Sequence, residues 1–391
     1  MDNEKEEKTI TFGVDILEKQ TADPETIARF IQDISGGDQP FENPVVKEAH
    51  DLDIKDKYHV QSVDIFEAGR QYIDDFEESC QQEGEGYEAP HFPIWSEKME
   101  GLMNGFYIFA GYSNSGKSAT CMNIAMDYAL NEKNKLYLLY YSLDDTKEDI
   151  LARILAMKKH IPISIVRKPK RYEKKIENGE ENSTVYQKLL ETRKAGLEEL
   201  KEMSQHFMVR DAEDIDCIEK MLNHAKMVKN YLQTRDEKAN VLIVIDSLMD
   251  INIDSEKFRE ERDRNTAISK LVKQYATTEI KCPIFGTAHV RKNSGRRVTI
   301  SDLKESGRYE YDARAVFLIT NDVSRNGQNA EIFYTSPNDT MKHPVLEIYW
   351  AKNKASSFKE RTYCYFVPEF SLATEVKKEQ MDEYDAIIYA E

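Results

Sequence analysis

Eight consecutive residues, Gly111-Tyr112-Ser113-Asn114-Ser115-Gly116-Lys117-Ser118, fit the pattern G-x-x-x-x-G-K-[ST] without a mismatch. That spacing suits one chemistry. The glycines let successive backbone N–H groups turn toward phosphates at the start of a helix, whose dipole favours anions. Lys117 would reach the β- and γ-phosphates, and the Ser118 hydroxyl would ligate Mg²⁺. The flanks agree: Phe106-Tyr107-Ile108-Phe109-Ala110 reads as the preceding strand and residues 119–130 as the following helix. A nucleoside triphosphate is therefore expected here, held by Gly111, Ser113, Asn114, Ser115, Gly116, Lys117, Ser118 and Ala119.

Three further groups could complete such a site. Val241-Leu242-Ile243-Val244-Ile245 is a buried-strand pattern ending in Asp246, about 130 residues after the loop. A carboxylate at that edge can hold Mg²⁺ directly or through water. The strand at 136–143 ends in Leu143-Asp144-Asp145. Asp144 is placed to orient an attacking water, which needs a carboxylate within about 3 Å; the competing reading is an N-cap for the next helix, a post that Asp145 could also fill. Phe285-Gly286-Thr287-Ala288-His289 closes another strand, and His289 there reads either as a sensor of the γ-phosphate or as a core histidine.

Alternating strands and helices must position these groups. Strands are expected at 106–110, 136–143, 206–210, 241–246, 283–288, 315–320, 345–350 and 361–367, with helices at 119–130, 147–158, 184–204, 214–233 and 260–278. Apolar strands alternating with helices indicate an α/β fold with a mostly parallel sheet covered on both faces. Residues 1–58 read as an acidic, partly disordered arm with one helix near 24–34, and 59–88 as an amphipathic linker helix and its flexible connection. The ATPase core spans 89–372 and an acidic tail 373–391. The net charge of −17 is uneven: residues 1–90 hold 24 acids against 8 bases, and the remainder is nearly neutral. The acidic arm would repel nucleic acid and could attract a basic partner. Residues 158–175 carry eight lysines and arginines, read as a solvated loop ahead of a nucleic-acid contact. No run approaches the ~18 apolar residues of a membrane span, the first residues are too polar for a signal peptide, and the five cysteines contain no C-x-x-C pair. A cytoplasmic protein with reduced thiols is expected, with no membrane partner and no zinc site.

In their order, these pieces resemble the motor domain of DnaB-type replicative helicases, within the RecA-like ATPases, over roughly residues 90–370. The resemblance rests on Ser113–Ser118, Tyr141-Ser142-Leu143-Asp144, Ile243-Val244-Ile245-Asp246-Ser247-Leu248 and Thr287-Ala288-His289-Val290-Arg291. Its most specific piece is Ser301-Asp302-Leu303-Lys304-Glu305-Ser306-Gly307, followed by Glu310 and Asp312-Ala313; it resembles the family's pore loop, which grips single-stranded DNA. Glu347-Ile348-Tyr349-Trp350-Ala351-Lys352-Asn353-Lys354 is similar to the strand whose K-x-R pair reaches the neighbouring subunit's γ-phosphate. The resemblance implies a RecA-like core that uses ATP and Mg²⁺. It also implies a homo-hexameric ring on single-stranded DNA, with Lys117, Asp144, His289 and Lys354 catalytic, Lys352 and Lys354 on the nucleotide, and Ser118 and Asp246 on the metal. Arg291, Lys304, Glu305 and Gly307 would meet DNA phosphates.

Four departures stand out. The family's catalytic Glu is Asp144, its sensor Gln is His289, and its arginine finger is Lys354, which lacks the bidentate fork. Residues 1–59 are too short for the family's N-terminal helical domain. A phage or mobile-element helicase, in a bacterial or phage-infected cell, or a diverged relative with another task, fits these departures better than a housekeeping replicative helicase. A RecA- or RadA-like recombination or loading ATPase, and a nucleotide-controlled assembly switch, are the alternatives.

Overall fold

Alternation along each strand divides the apolar residues between two faces, and the fold follows that division. In the computed structural model residues 86–389 are described except 255–257, 259, 292–296, 304–306 and 336–340, together with 72–74, 76, 77 and 80. The chain forms two units, 1–81 and 82–391. In the first, Tyr72–Asp74, Phe76, Glu77 and Cys80 are helical, with Tyr72, Ile73 and Phe76 exposed. The arm and the helix expected near 24–34 lie outside the described residues.

The second unit opens with α1 (Pro93–Met99), β1 (Gly105–Gly111), α2 (Lys117–Leu130), β2 (Leu136–Ser142) and α3 (Lys147–Lys159). Then come α4 (Ile163–Arg167), α5 (Pro169–Glu177), α6 (Ser183–Met203), β3 (Phe207–Asp211), α7 (Ile218–Gln233), β4 (Asn240–Asp246) and α8 (Glu261–Gln274). β5 (Pro283–His289), α9 (Gly307–Asp312), β6 (Ala315–Asn321), α10 (Asp322–Asn326), β7 (Phe333–Tyr334), β8 (His343–Asn353), β9 (Arg361–Val367), β10 (Leu372–Glu375) and α11 (Lys378–Tyr389) complete it. The sheet runs β10-β9-β8-β6-β1-β5-β4-β2-β3. From β6 to β3 all pairs are parallel, and β8, β9 and β10 add an antiparallel flank.

Tyr107, Phe109, Leu138, Tyr140, Leu242, Val244, Phe285 and Phe317 point to one face, under α1, α2 and α3. Phe106, Ile108, Leu139, Tyr141, Ile243, Ile245, Ile284 and Val316 point to the other, under α7 and α8. A period of two thus builds two cores on one sheet. On the first face Trp95 of α1 packs on Phe109, Phe317 and Trp350 at ring separations of 5.7, 4.4 and 4.7 Å. Those contacts pin α1 under the central strand.

All eight expected strands are present, and β8 runs longer at both ends than the expected 345–350. The basic stretch 158–175 is not a loop. It is the end of α3, then α4 and α5, because Lys, Arg and Glu are good helix formers and Pro169 suits a first helical turn. Within 373–391, β10 pairs with β9, and α11 buries Met381, Tyr384 and Ile388. Among the described residues no helix is long and apolar enough to cross a membrane.

Candidate nucleotide site

β1 is the middle strand of the sheet order, flanked by β6 and β5 in parallel, and the phosphate-binding loop leaves its C-terminal edge. Gly111 has no space for a side chain: a Cβ would lie 2.4 Å from Ser115 Oγ and 2.6 Å from the Ile319 carbonyl oxygen. Gly116 caps α2 at φ 88°, a conformation that side chains disfavour. The loop therefore folds tightly against β6 and opens α2 toward a cleft of about 730 Å³. Ser113, Asn114, Gly116, Lys117, Ser118 and Ala119 line it, as do Asp144, Asp145, Arg153 and His289. Ser115 is buried within the turn.

Asp246 ends β4 opposite Ser142 of β2. Its carboxylate accepts hydrogen bonds from Ser118 Oγ at 3.0 Å and from Tyr140 Oη at 2.7 Å, and a third from Thr287 Oγ1. It is nearly fully buried. Burial first, and then the charge of Asp246, push the Tyr140 phenol well above its usual pKa, so it stays a neutral donor. The Ser118 hydroxyl and Asp246 carboxylate are hard oxygen donors side by side, a set that fits Mg²⁺.

Lys117 is buried at the first turn of α2. Burial lowers its pKa, and Asp246, Asp144, Asp250 and Asp145 oppose that by attraction. Asp144 is exposed at the cleft and does not cap α3; Thr146 does, accepting from Asp149 N. Asp145 is held in an ion pair with Arg153 at 2.7 Å. The pairing leaves Asp144 as the cleft-lining carboxylate with no ion pair among the described residues. His289 sits beside Gly111 in register. Burial, then Lys117, lower its pKa, which favours a neutral imidazole.

Sequence reasoning missed Arg153, Tyr140 and Thr287. Arg153 lies nine residues after Asp144 in α3 and enters the cleft only because that helix packs back on the sheet beside β3. Tyr140 and Thr287 share the Asp246 face by strand alternation, so the signal was a hydroxyl two residues before each strand end.

Other expected residues lie elsewhere. Lys352 opposes Val316 of β6, and the backbone N–H of Lys354 donates to Arg314 O at 3.0 Å, both toward the edge of the sheet opposite the phosphate-binding loop. The Lys352 ammonium donates to the carbonyls of Glu310 and, at 3.2 Å, Tyr311. Burial, then repulsion by Lys354, push it down to about 8. Arg291 and Gly307 share a second hollow of about 300 Å³ with Arg262, Ser301 and Glu310. Lys304 and Glu305 lie outside the described residues.

A mostly parallel sheet with a phosphate-binding loop at its central strand and an Asp at the end of β4, one strand removed across β5, defines a RecA-like nucleotide-binding fold. The sequence pattern of the DnaB-like helicase C-terminal domain matches residues 91–371, and the chain belongs to that family. A probable replicative DNA helicase of Trieres chinensis is 26% identical over 251 residues, covering 59% of this chain and 50% of that protein. The chain thus spans about half the length of the curated relative it matches. Among solved structures, the ATPase domain of G40P aligns at TM-score 0.59 and 16% identity, over 81% of this chain and 100% of that one. A DnaB-like replicative helicase, solved in work on its interactions with primase, aligns at TM-score 0.58 and 16% identity, over 81% of this chain and 68% of that one. At that identity the two structures show the fold.

Proposed function

We propose that this chain is an ATP-driven translocase on single-stranded DNA, acting as a homo-hexameric ring that unwinds duplex ahead of it. The observation that carries the reading is one cleft lined by Lys117, Ser118, Asp144, Arg153 and His289, with Asp246 behind it on the Ser118 hydroxyl, in a chain of the DnaB-like family. Lys117 and the backbone at the start of α2 bind the phosphates. Ile163, Pro344, Phe366 and Pro368 add apolar lining that suits a nucleobase. When bound at Ser118 and Asp246, Mg²⁺ supplies charge neutralisation on the phosphate oxygens. Asp144 orients the attacking water. Arg153, released from Asp145, can follow the γ-phosphate, and neutral His289 reports its loss to the segment leading into Arg291. Arg291, Lys304, Glu305 and Gly307 face DNA, touching phosphates without reading bases.

Asp144→Asn is expected to suppress hydrolysis while ATP binding persists, since a water-orienting group is lost and no phosphate contact is. Asp144→Glu is expected to raise turnover by restoring the reach of the longer side chain. Single-turnover hydrolysis beside nucleotide-binding titrations separates the two steps; an unchanged or lower rate in Asp144→Glu moves the water-orienting role away from this position.

The reading itself is tested by ATPase and strand-displacement assays with and without oligo-dT. Single-stranded DNA is expected to bind with nucleotide and to weaken steeply with salt. Lys304→Ala should weaken it alike for all sequences. ATP turnover without strand displacement points to a recombination or loading ATPase; turnover indifferent to DNA points to an assembly switch.

A further inference from the structure

The helices between β2 and β3 carry a charge pattern that the nucleotide site does not use. At 3.6 residues per turn, Lys170, Lys174, Arg171 and Lys175 of α5 fall within an arc of about 140°. Tyr172 and Ile176 fall on the opposite side and are half-buried. Arg167 at the end of α4 and Lys168 at the junction line one hollow with Arg171 of α5. Arg167 pairs with Asp149 and Lys175 with Glu180, whereas Lys168, Lys170, Arg171 and Lys174 are exposed and in no ion pair among the described residues. Glu173 and Glu177 flank the Lys170 side of the arc, but four bases against two acids leave α5 net positive, and like charges one turn apart repel, so this face gains most from an anion with regularly spaced charges. We propose that it binds the phosphodiester backbone of duplex DNA, separately from the Arg291 and Gly307 hollow and without nucleotide.

Two features select that partner. A single-strand surface needs exposed rings on which bases stack. Here the Tyr172 and Tyr186 rings pack edge-on at 5.2 Å, and the Tyr172 hydroxyl is hydrogen-bonded with Ser164 Oγ at 3.0 Å. A protein partner needs apolar anchors at the centre of its interface, and every fully exposed residue of α5 is charged. What remains is a row of point charges, which positions a backbone and reads no sequence.

The test is anisotropy of a blunt-ended duplex without ATP, at 50 and 200 mM salt. Neutralising four phosphates should cost the wild type roughly 100-fold in affinity across that range. The combined variant Lys168→Gln, Lys170→Gln, Arg171→Gln, Lys174→Gln should lose most of that binding at 50 mM and most of the salt dependence. A charge-preserving set, Lys168→Arg, Lys170→Arg, Arg171→Lys, Lys174→Arg, should bind like wild type. Equal binding by the neutralised variant overturns the proposal. So does loss of binding in the charge-preserving set, or wild-type preference for polyglutamate over duplex, which would indicate an acidic protein partner. The assay contains no ATP and no single strand, so failure of the motor reading leaves its outcome unaffected.

Discussion

Lys117→Ala is expected to abolish ATP turnover and any motor activity while the fold survives. The ammonium sits buried at the first turn of α2, with Asp246, Asp144, Asp250 and Asp145 close enough to counter the effect of burial on its pKa. In the proposed reaction it meets the charge that develops on the transferring phosphoryl group. Removing one such preorganised group typically costs roughly 3–4 kcal/mol in the transition state, or about 10²–10³ in rate. Alanine suits a first helical turn, and α2 is held to the sheet by Cys121, Ile124, Ala125 and Tyr128, so the truncation leaves the core intact. Phosphate release would fall below detection as the thermal melt stays near that of wild type. Turnover within a few-fold of wild type would place the active site somewhere other than this loop.

How far the sequence carries depends on whether a feature is local. The strands were legible because each is an apolar run bounded by polar residues, and the phosphate-binding loop because its residue types lie in one unbroken run, although its glycines also meet distant residues, Gly111 against Ile319 and Gly116 against Leu346. α1 was not legible. It spans only Pro93–Met99, and its first N–H groups, on Ile94 and Trp95, donate to the carboxylate of Glu375, some 280 residues away. α5 has the sequence character of a loop because its pattern is one of charge, with only Tyr172 and Ile176 turned inward. The site divides in the same way. Asp246 announces itself at a strand end, but the hydroxyls that hold it come from β2, β5 and α2 and meet only in the folded sheet. The choice between Asp144 and Asp145 as cap was open in sequence; in the structure Thr146 takes the cap, Arg153 takes Asp145, and Asp144 faces the cleft.

Mixing Lys354→Ala subunits with Lys117→Ala subunits is expected to restore turnover that neither variant has alone. The register gives the reason. Gly111 lies beside Ile319, which lies beside Ile348, whereas Lys352 lies beside Val316, on the row of Ile108. Lys354 N–H donates to Arg314 O, and Arg314 N–H to Phe106 O, so Lys354 stands five residues down the sheet from Gly111. At ~3.3 Å per residue that is about 16 Å, well beyond the reach of a lysine side chain. Lys354 is exposed, and its neighbour Lys352 fixes the strand end to the last turn of α9. If Lys354 serves a nucleotide at all, it serves one on another copy of the chain. In a ring assembled at random from equal amounts, about a quarter of the junctions join an intact phosphate-binding loop to an intact Lys354, because a head-to-tail interface takes each from a different subunit. Turnover approaching that fraction of wild type, appearing only on mixing, would establish the shared site. Lys354→Arg should then exceed wild type, since a guanidinium offers phosphate the two-pronged contact that an ammonium lacks. A Lys354→Ala protein that hydrolyses ATP at the full rate, or a mixture no more active than its parts, would show instead that each subunit completes its own site and that the charge at Lys354 answers to something other than nucleotide.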